Sequence, residues 1–368
     1  MSIEPARGRP AGDRAAHDFP SGSRRRTAGQ VLTEARVIVE PAYRAALAPL
    51  SAELRHIAGY HAGWWDAQGR PIDDEGRGSK GVRAALVLAS ARAAARGRAG
   101  ASGGEEGKLE GAVRAAVAVS LVHDFSLLHD DVMDGDLTRR GRPTAWAQFG
   151  LGAAILVGDA LLALAMEVLA GAVTARSLSG ALLELCAGQS ADLAFERRTD
   201  VTMAECLSMA EAKTGALLGV ACELGALAGG AQPAIAACYR EFGRNLGLAF
   251  QLIDDLLGIW GDPAVTGKPA RADLAARKKS LPVVAALTSG TPDGGYLASL
   301  YHRAEDLGEE TLAQAAALVE AAGGRDWAQA EADKHRQRAL RALRQAQPDP
   351  DAATDLCVLA DLITRRDR

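Results

Sequence analysis

The sequence predicts an all-α protein, and three observations carry that prediction. From about Gln30 onward apolar residues recur at helical spacing, as between Val31 and Leu54, and no sustained alternating run of β-branched residues interrupts them. Gly and Pro collect in short stretches at Gly69 to Gly78, 97 to 107, 141 to 143, 229 to 233 and Gly290 to Gly295, which mark the breaks. Between the breaks lie long Ala/Leu-rich segments with short connections, the pattern of consecutive antiparallel helices around one core.

Each segment then takes its place in order. Residues 1 to 28 are rich in Arg, Gly and Pro and cannot bury enough apolar surface to offset their ordering entropy, so they are predicted to be a disordered tail. The tail has charges where a signal peptide needs an apolar stretch, so no export is expected. Residues 29 to 368 are predicted to form a single helical domain. The apolar run from Leu151 to Ala172 carries Asp159 and Glu167, which a bilayer would penalise, so it reads as a core helix and not a membrane span. Glu309 to Arg368 reads as two or three ordinary amphipathic helices.

Composition excludes other classes. With 42 basic and 46 acidic side chains, a net charge of −4 and 4% aromatics, the chain has neither the basic field nor the stacking rings of a nucleic-acid binder. Its five cysteines, at 186, 206, 222, 238 and 357, are scattered without a CxxC or Cys/His cluster, which suits a reducing cytoplasm and no zinc.

The chemistry concentrates at three places. Between Ser126 and Asp136 an apolar helical pattern ends in four carboxylates within seven positions. Asp130 and Asp134 are four apart and share a helix face, with Asp131 beside them. Such a set repels itself unless a hard divalent cation joins it, and Mg²⁺ takes a few carboxylates while leaving positions for phosphate oxygens. Arg139, Arg140 and Arg142 follow at once, and guanidinium groups match phosphate geometry, so this stretch is a candidate diphosphate trap. A second acidic pair, Asp254-Asp255, lies in the apolar run Phe250-Gln251-Leu-Ile, with Lys268, Lys278 and Lys279 downstream. Third, Lys213 stands among small apolar residues in Ala-Glu-Ala-Lys-Thr-Gly-Ala-Leu-Leu-Gly, where it either snorkels to solvent or meets an anion.

In this order and spacing, HDDVMDGDLTRRGRPT, GQSADL, AKTGALLG, FQLIDDLLGIWGDPAVTGKP and DLAARKKSLP resemble the trans-isoprenyl diphosphate synthases, the polyprenyl synthetase family, over roughly residues 30 to 365. The resemblance implies an isoprenoid-synthase helical bundle in which two aspartate-rich motifs face each other across a deep cavity. By position, Asp130, Asp131 and Asp134 match the first motif and Asp254 with Asp255 the second, together holding three Mg²⁺ and an allylic diphosphate (dimethylallyl, geranyl or farnesyl). Arg139, Lys213, Lys268 and Lys278 resemble the residues that hold that diphosphate; Thr214 and Gln251 match positions bordering its C1. Lys80, Arg83, His123 and Arg140 resemble the isopentenyl diphosphate site.

The implied reaction ionises the allylic C–O bond, shields the cation from water and lets the isopentenyl double bond attack C1, with a proton then lost to the departed diphosphate. Two departures stand out. The family's GGKRxRP is Gly78-Ser-Lys-Gly-Val-Arg-Ala84 here, and its second motif ends in Gly258 in place of Asp, a change expected to be tolerated, with Asp262 one turn beyond. A class I terpene cyclase would share the first motif but needs Asn, Ser and Glu in the second, and a non-catalytic partner subunit would usually lose one motif; both remain as alternatives. Family resemblance also implies a homodimer. Phe125 and Ser126, five and four positions before the first motif, resemble the chain-length floor of synthases that stop at geranylgeranyl diphosphate, with farnesyl or longer products as the alternatives. His129 is read as a structural hydrogen-bonding residue or a group behind the metal.

Overall fold

The computed structural model describes residues 26–72, 81–95, 105–169, 171–262, 270–301 and 307–364. Helix α1 (Ala28–Ala46) opens with Thr27 and Gln30 capping each other reciprocally, and α2 (Ala52–Ala62) runs from a Ser51 cap to a left-handed Gly63. Then come α3 (Val82–Ala94), α4 (Glu105–Met133), a short α5 (Ala145–Phe149), α6 (Leu151–Val168), α7 (Ala172–Arg197), α8 (Met203–Ala210), α9 (Ala216–Ala228) and α10 (Pro233–Trp260). Beyond them lie α11 (Ala272–Ala275), α12 (Leu281–Leu287), α13 (Pro292–Tyr301), α14 (Glu309–Ala321), α15 (Gly324–Gln345) and α16 (Pro350–Thr364). The last three are the amphipathic helices expected at the C-terminal end.

Residues 1–25, most of the expected tail, lie outside the described residues. Arg26 is engaged: its Nε donates to Asp355 Oδ1 at 3.0 Å, and it also pairs with Glu34, tying α1 to α16. Among the described residues the only strands are β1 (Thr138–Arg139) and β2 (Arg142–Pro143), an antiparallel pair at the GRP break. Both turn residues are left-handed, Arg140 at φ 53° and Gly141 at φ 73°, as a tight two-residue hairpin requires. The break expected over Gly290 to Gly295 is shorter than the sequence suggests, since α13 begins at Pro292. Gly294 lies inside that helix, and a Cβ there would stand 2.4 Å from the Ala286 carbonyl oxygen, so the glycine serves close packing on α12.

Two helices are long and apolar enough to cross a membrane by length and composition, Glu106–Met133 and Leu151–Val168. The first is mostly buried inside the protein, and α6 lays one face along α4. The core is centred on α3 and α9, which bury residues on every side, as helices apolar all round must. Glycines let their backbones touch their neighbours. A Cβ at Gly225 of α9 would lie 2.2 Å from the Val87 carbonyl oxygen of α3. On α10, a Cβ at Gly243 would lie 2.3 Å from the Leu218 carbonyl oxygen, and one at Gly247 2.6 Å from Gly215 Cα. Backbone approach of this kind fixes how α10 is rotated relative to α9, and so where the side chains of residues 251 to 255 point.

Gly243→Ala should therefore cost stability although alanine is the better helix former. Helix propensity favours the variant by somewhat under 1 kcal/mol, whereas forcing apart two backbones costs about 1–3 kcal/mol. Denaturant unfolding is expected to show a net loss, and an equal or greater stability would contradict the packing account.

Candidate active site

Asp130 and Asp131 stand on the last turn of α4 and Asp134 directly follows it, its N–H still bonded to the Asp130 carbonyl at 2.8 Å, where the helix's own partial negative charge gathers. Burial pushes Asp130 up to about 6; Lys213 opposes the shift, and Asp134 and Asp131 add to it. Burial raises Asp131 and Asp134 as well. Asp131 is 2% exposed and is held by Arg139, whose Nε and Nη2 reach its Oδ1 at 2.7 and 2.6 Å. Its other oxygen, Oδ2, is buried with no hydrogen-bond partner. A buried orphaned carboxylate oxygen beside two further carboxylates has the donor chemistry of a hard divalent cation site, so these residues fit Mg²⁺.

Lys213 sits in a π-helical turn, Glu211–Gly215, between α8 and α9. Such turns are rare and often lie at functional sites. A Cβ on Gly188 of α7 would stand 2.4 Å from the Lys213 backbone nitrogen, so the glycine opening the GQSADL motif admits the turn. Four residues on, Asp192 accepts from Lys213 Nζ at 2.7 Å. The lysine head thus stays inside the acidic cluster, within the fields of Asp130 and Asp134, and does not snorkel to open solvent.

The second acidic pair divides. The sequence groups Asp254 with Asp255 as metal ligands, but neighbours on a helix point about 100° apart, and only Asp254 is exposed. Asp255 is 3% exposed and both its oxygens are engaged: Oδ1 accepts from Gln251 Nε2 at 2.7 Å and Oδ2 from the Leu281 backbone N–H at 2.8 Å. Gln251 Oε1 in turn accepts from Thr214 Oγ1 at 2.7 Å. Asp255 is therefore corrected from an open ligand to the anchor that orients Gln251 and Thr214.

Lys278 joins the two motifs electrostatically. Burial alone would lower its pKa, yet Asp255, Asp273, Asp192 and Asp254 together hold it above the ordinary lysine value. The same lysine also acts on Asp134. Lys279 turns away and donates to the Glu196 carbonyl at 2.9 Å. Asp273 opens the DLAARKKSLP motif, where the sequence assigns it no role. A Cβ at Gly258 would fall 2.2 Å from Asp273 Oδ2, so a carboxylate from α11 occupies the space beside the position where the family's aspartate is missing.

On the other side of the hairpin, Arg83 Nη1 donates to His123 Nε2 at 2.9 Å, and Arg140 has no hydrogen-bond or ion-pair partner among the described residues. Arg142 is spent on structure, which corrects its place in the trap: it donates to the Trp65 carbonyl at 2.9 Å and lies 4.2 Å over the Tyr60 ring. Lys80 and Lys268 lie outside the described residues. Phe125 is buried and meets His129 edge-on at 4.7 Å, while Ser126 Oγ donates to the His123 carbonyl at 2.8 Å. His129 is structural, its Nε2 donating to the Ile155 carbonyl at 3.2 Å and its ring seated against Gly158 of α6.

The chain is similar to known proteins over most of its length. The family model described as polyprenyl synthetase matches residues 71–319. The chain is similar to a geranylgeranyl diphosphate synthase of Mycobacterium tuberculosis, 46% identical over 344 residues that cover 92% of this chain and 93% of that one. It is also 44% identical over 317 residues to a (2E,6E)-farnesyl diphosphate synthase of Mycobacterium bovis, covering 83% and 84%. Among solved structures, a polyprenyl synthetase from Streptomyces coelicolor A3(2) superposes with a TM-score of 0.82 at 44% identity, over 91% of this chain and 98% of that one. An all-α fold, two acidic motifs joined by lysines and these similarities lead to one conclusion: the chain belongs to the polyprenyl synthetase family and is a trans-prenyltransferase.

Proposed function

We propose that the protein condenses isopentenyl diphosphate head-to-tail with an allylic diphosphate, dimethylallyl, geranyl or farnesyl, in a Mg²⁺-dependent reaction whose main product is geranylgeranyl diphosphate. The observation that carries this reading is the convergence of Asp130, Asp131 and Asp134 with Lys213 and Lys278, since it combines oxygen donors for a hard cation with fixed positive charge for a diphosphate.

Asp130, Asp131 and Asp134 from α4 and Asp254 from α10 would hold the metal, with the count of three ions taken from the family resemblance. When bound, Mg²⁺ supplies Lewis-acid neutralisation of the leaving diphosphate. The chain's own groups do the rest. Lys213, Lys278 and Arg139 exchange part of their contact with carboxylates for contact with diphosphate oxygens as the allylic C–O bond breaks. Thr214 and Gln251, locked through Asp255, present oxygen dipoles that do not move, and such preorganised groups stabilise developing charge without reorganisation cost. Arg83, His123 and Arg140 hold the isopentenyl diphosphate whose double bond attacks C1.

Phe125 is proposed as the floor of the prenyl channel and Ser126 as the small residue beside it. Relatives of both twenty-carbon and fifteen-carbon naming match the chain, so the length rests on Phe125. We also propose a homodimer through α6 and α7, where Leu151, Leu156, Val173 and Leu183 are exposed large apolar side chains.

Asp130→Ala or Asp134→Ala is expected to lower diphosphate release from isopentenyl plus allylic diphosphate by roughly 100-fold or more at saturating Mg²⁺. Turnover within a few-fold of the parent in either variant would contradict the metal assignment. Phe125→Ala is expected to lengthen the products seen by chromatography after dephosphorylation. An unchanged distribution removes Phe125 as the floor, and a fifteen-carbon main product from the parent contradicts the length assignment.

A further inference from the structure

His61 stands on the last turn of α2 with its side chain 5% exposed and its Nε2 without a hydrogen-bond partner. The nearest acid, Asp124 Oδ1, is 3.8 Å away and out of hydrogen-bonding range, and the other Asp124 oxygen is taken by the Tyr43 hydroxyl at 2.6 Å. The ring lines a small pocket of about 30 Å³, whose walls also include Arg139, Arg140 and Asp131.

The placement is built. Tyr60 Oη, one residue earlier, donates to the Pro143 carbonyl at 2.8 Å, and Arg142 clamps the Trp65 carbonyl while stacking on Tyr60. These contacts staple the end of α2 to the β1–β2 hairpin, so His61 and Arg140 keep a fixed relation. Arg140 itself occupies a left-handed backbone position that a non-glycine residue adopts at a cost, and it too lacks a hydrogen-bond or ion-pair partner among the described residues. A buried imidazole nitrogen and a guanidinium, both unpartnered, thus border one pocket. The pocket has room for about one oxygen-sized group, so the ligand that satisfies both is an anion that places one of its oxygens there.

Burial, with Arg140, Arg139 and Arg142 nearby, lowers the His61 pKa to about 3, so the ring is neutral and its Nε2–H can donate. His123 lies in the field of Arg83, Arg140, His61 and Arg139, so Arg140 and Arg139 act on both imidazoles. His61 thus acts on His123, one of the residues assigned to isopentenyl diphosphate, while Arg139, which borders the same pocket, is held by Asp131 on the metal side.

We propose that His61 is a further binding residue for the diphosphate of isopentenyl diphosphate, its neutral Nε2–H donating to a phosphate oxygen held by Arg140. The proposal deepens the function given above and rests on its assignment of Arg140 to that substrate. A neutral donor adds a directional contact without adding to the repulsion among Arg83, Arg139 and Arg140.

The test compares the parent with His61→Phe, which keeps ring volume without the donor, and His61→Gln, whose amide replaces the donor. Calorimetric affinity for isopentenyl diphosphate is the primary readout, with steady-state kinetics and melting temperature alongside. His61→Phe is expected to weaken isopentenyl diphosphate binding and raise its KM by about tenfold, with the allylic KM within twofold and the melting temperature unchanged. His61→Gln is expected to restore most of the affinity. Unchanged isopentenyl affinity in His61→Phe, or an equal loss for both substrates, or no rescue by His61→Gln, overturns the proposal. A parent that binds isopentenyl diphosphate but forms no prenyl product would overturn the proposed reaction while leaving the calorimetric comparison to decide the role of His61.

Discussion

Three carboxylates crowded at the C-terminal end of one helix are the constraint on which the rest of the site depends. Each adds negative charge where the helix already carries it, and burial raises the pKa of all three. A fold organised for stability alone would not place them there. Their presence forces cations close by, and Arg139, Lys213 and Lys278 each answer to at least one of them. The cations are in turn held by further acids, Asp192 against Lys213 and Asp273 among those against Lys278. The result is an alternating network of charge that a metal and a diphosphate can enter by exchanging partners.

Backbone packing makes that network possible. Lys213 reaches the cluster because a π-helical turn re-aims it and because Gly188 leaves room for the turn. Gln251 faces Thr214 because glycine contacts seat α10 directly on α9, and Asp255 is held at the N-terminal end of α12 by the Leu281 N–H. The loss of an aspartate at 258 is matched by the approach of Asp273, which keeps negative charge near Lys278. Small residues in the motifs therefore set geometry, and the charged ones carry the chemistry.

Much of this was legible in the chain itself. Helical periodicity and clustered breaks gave the fold class, because a 3.6-residue repeat is a local property. The spacing of Asp130, Asp131 and Asp134 gave the acidic turn for the same reason. What escaped depended on tertiary contact. Nothing local distinguishes Asp254 from Asp255, since which of two neighbours faces the site depends on how α10 is rotated against α9. Arg142 looked equivalent to Arg140 until Tyr60 and Trp65 were brought beside it. Asp192 in GQSADL and Asp273 in DLAARKKSLP stood in the motifs without an assigned role, and His61 gave no local signal because the hairpin it faces is distant in sequence. The hairpin was hidden by its two-residue strands, too short to show any alternation.

Among the described residues no three His, Cys, Asp or Glu side chains are grouped closely enough to hold a metal ion by themselves, so metal and diphosphate should complete each other's coordination. Calorimetric titration of the protein with inorganic diphosphate, with and without Mg²⁺, tests that claim most directly. The account predicts at least tenfold tighter diphosphate binding in the presence of Mg²⁺, and loss of that difference in Asp130→Ala. Equal affinity with and without Mg²⁺, or a metal dependence that survives Asp130→Ala, would contradict it.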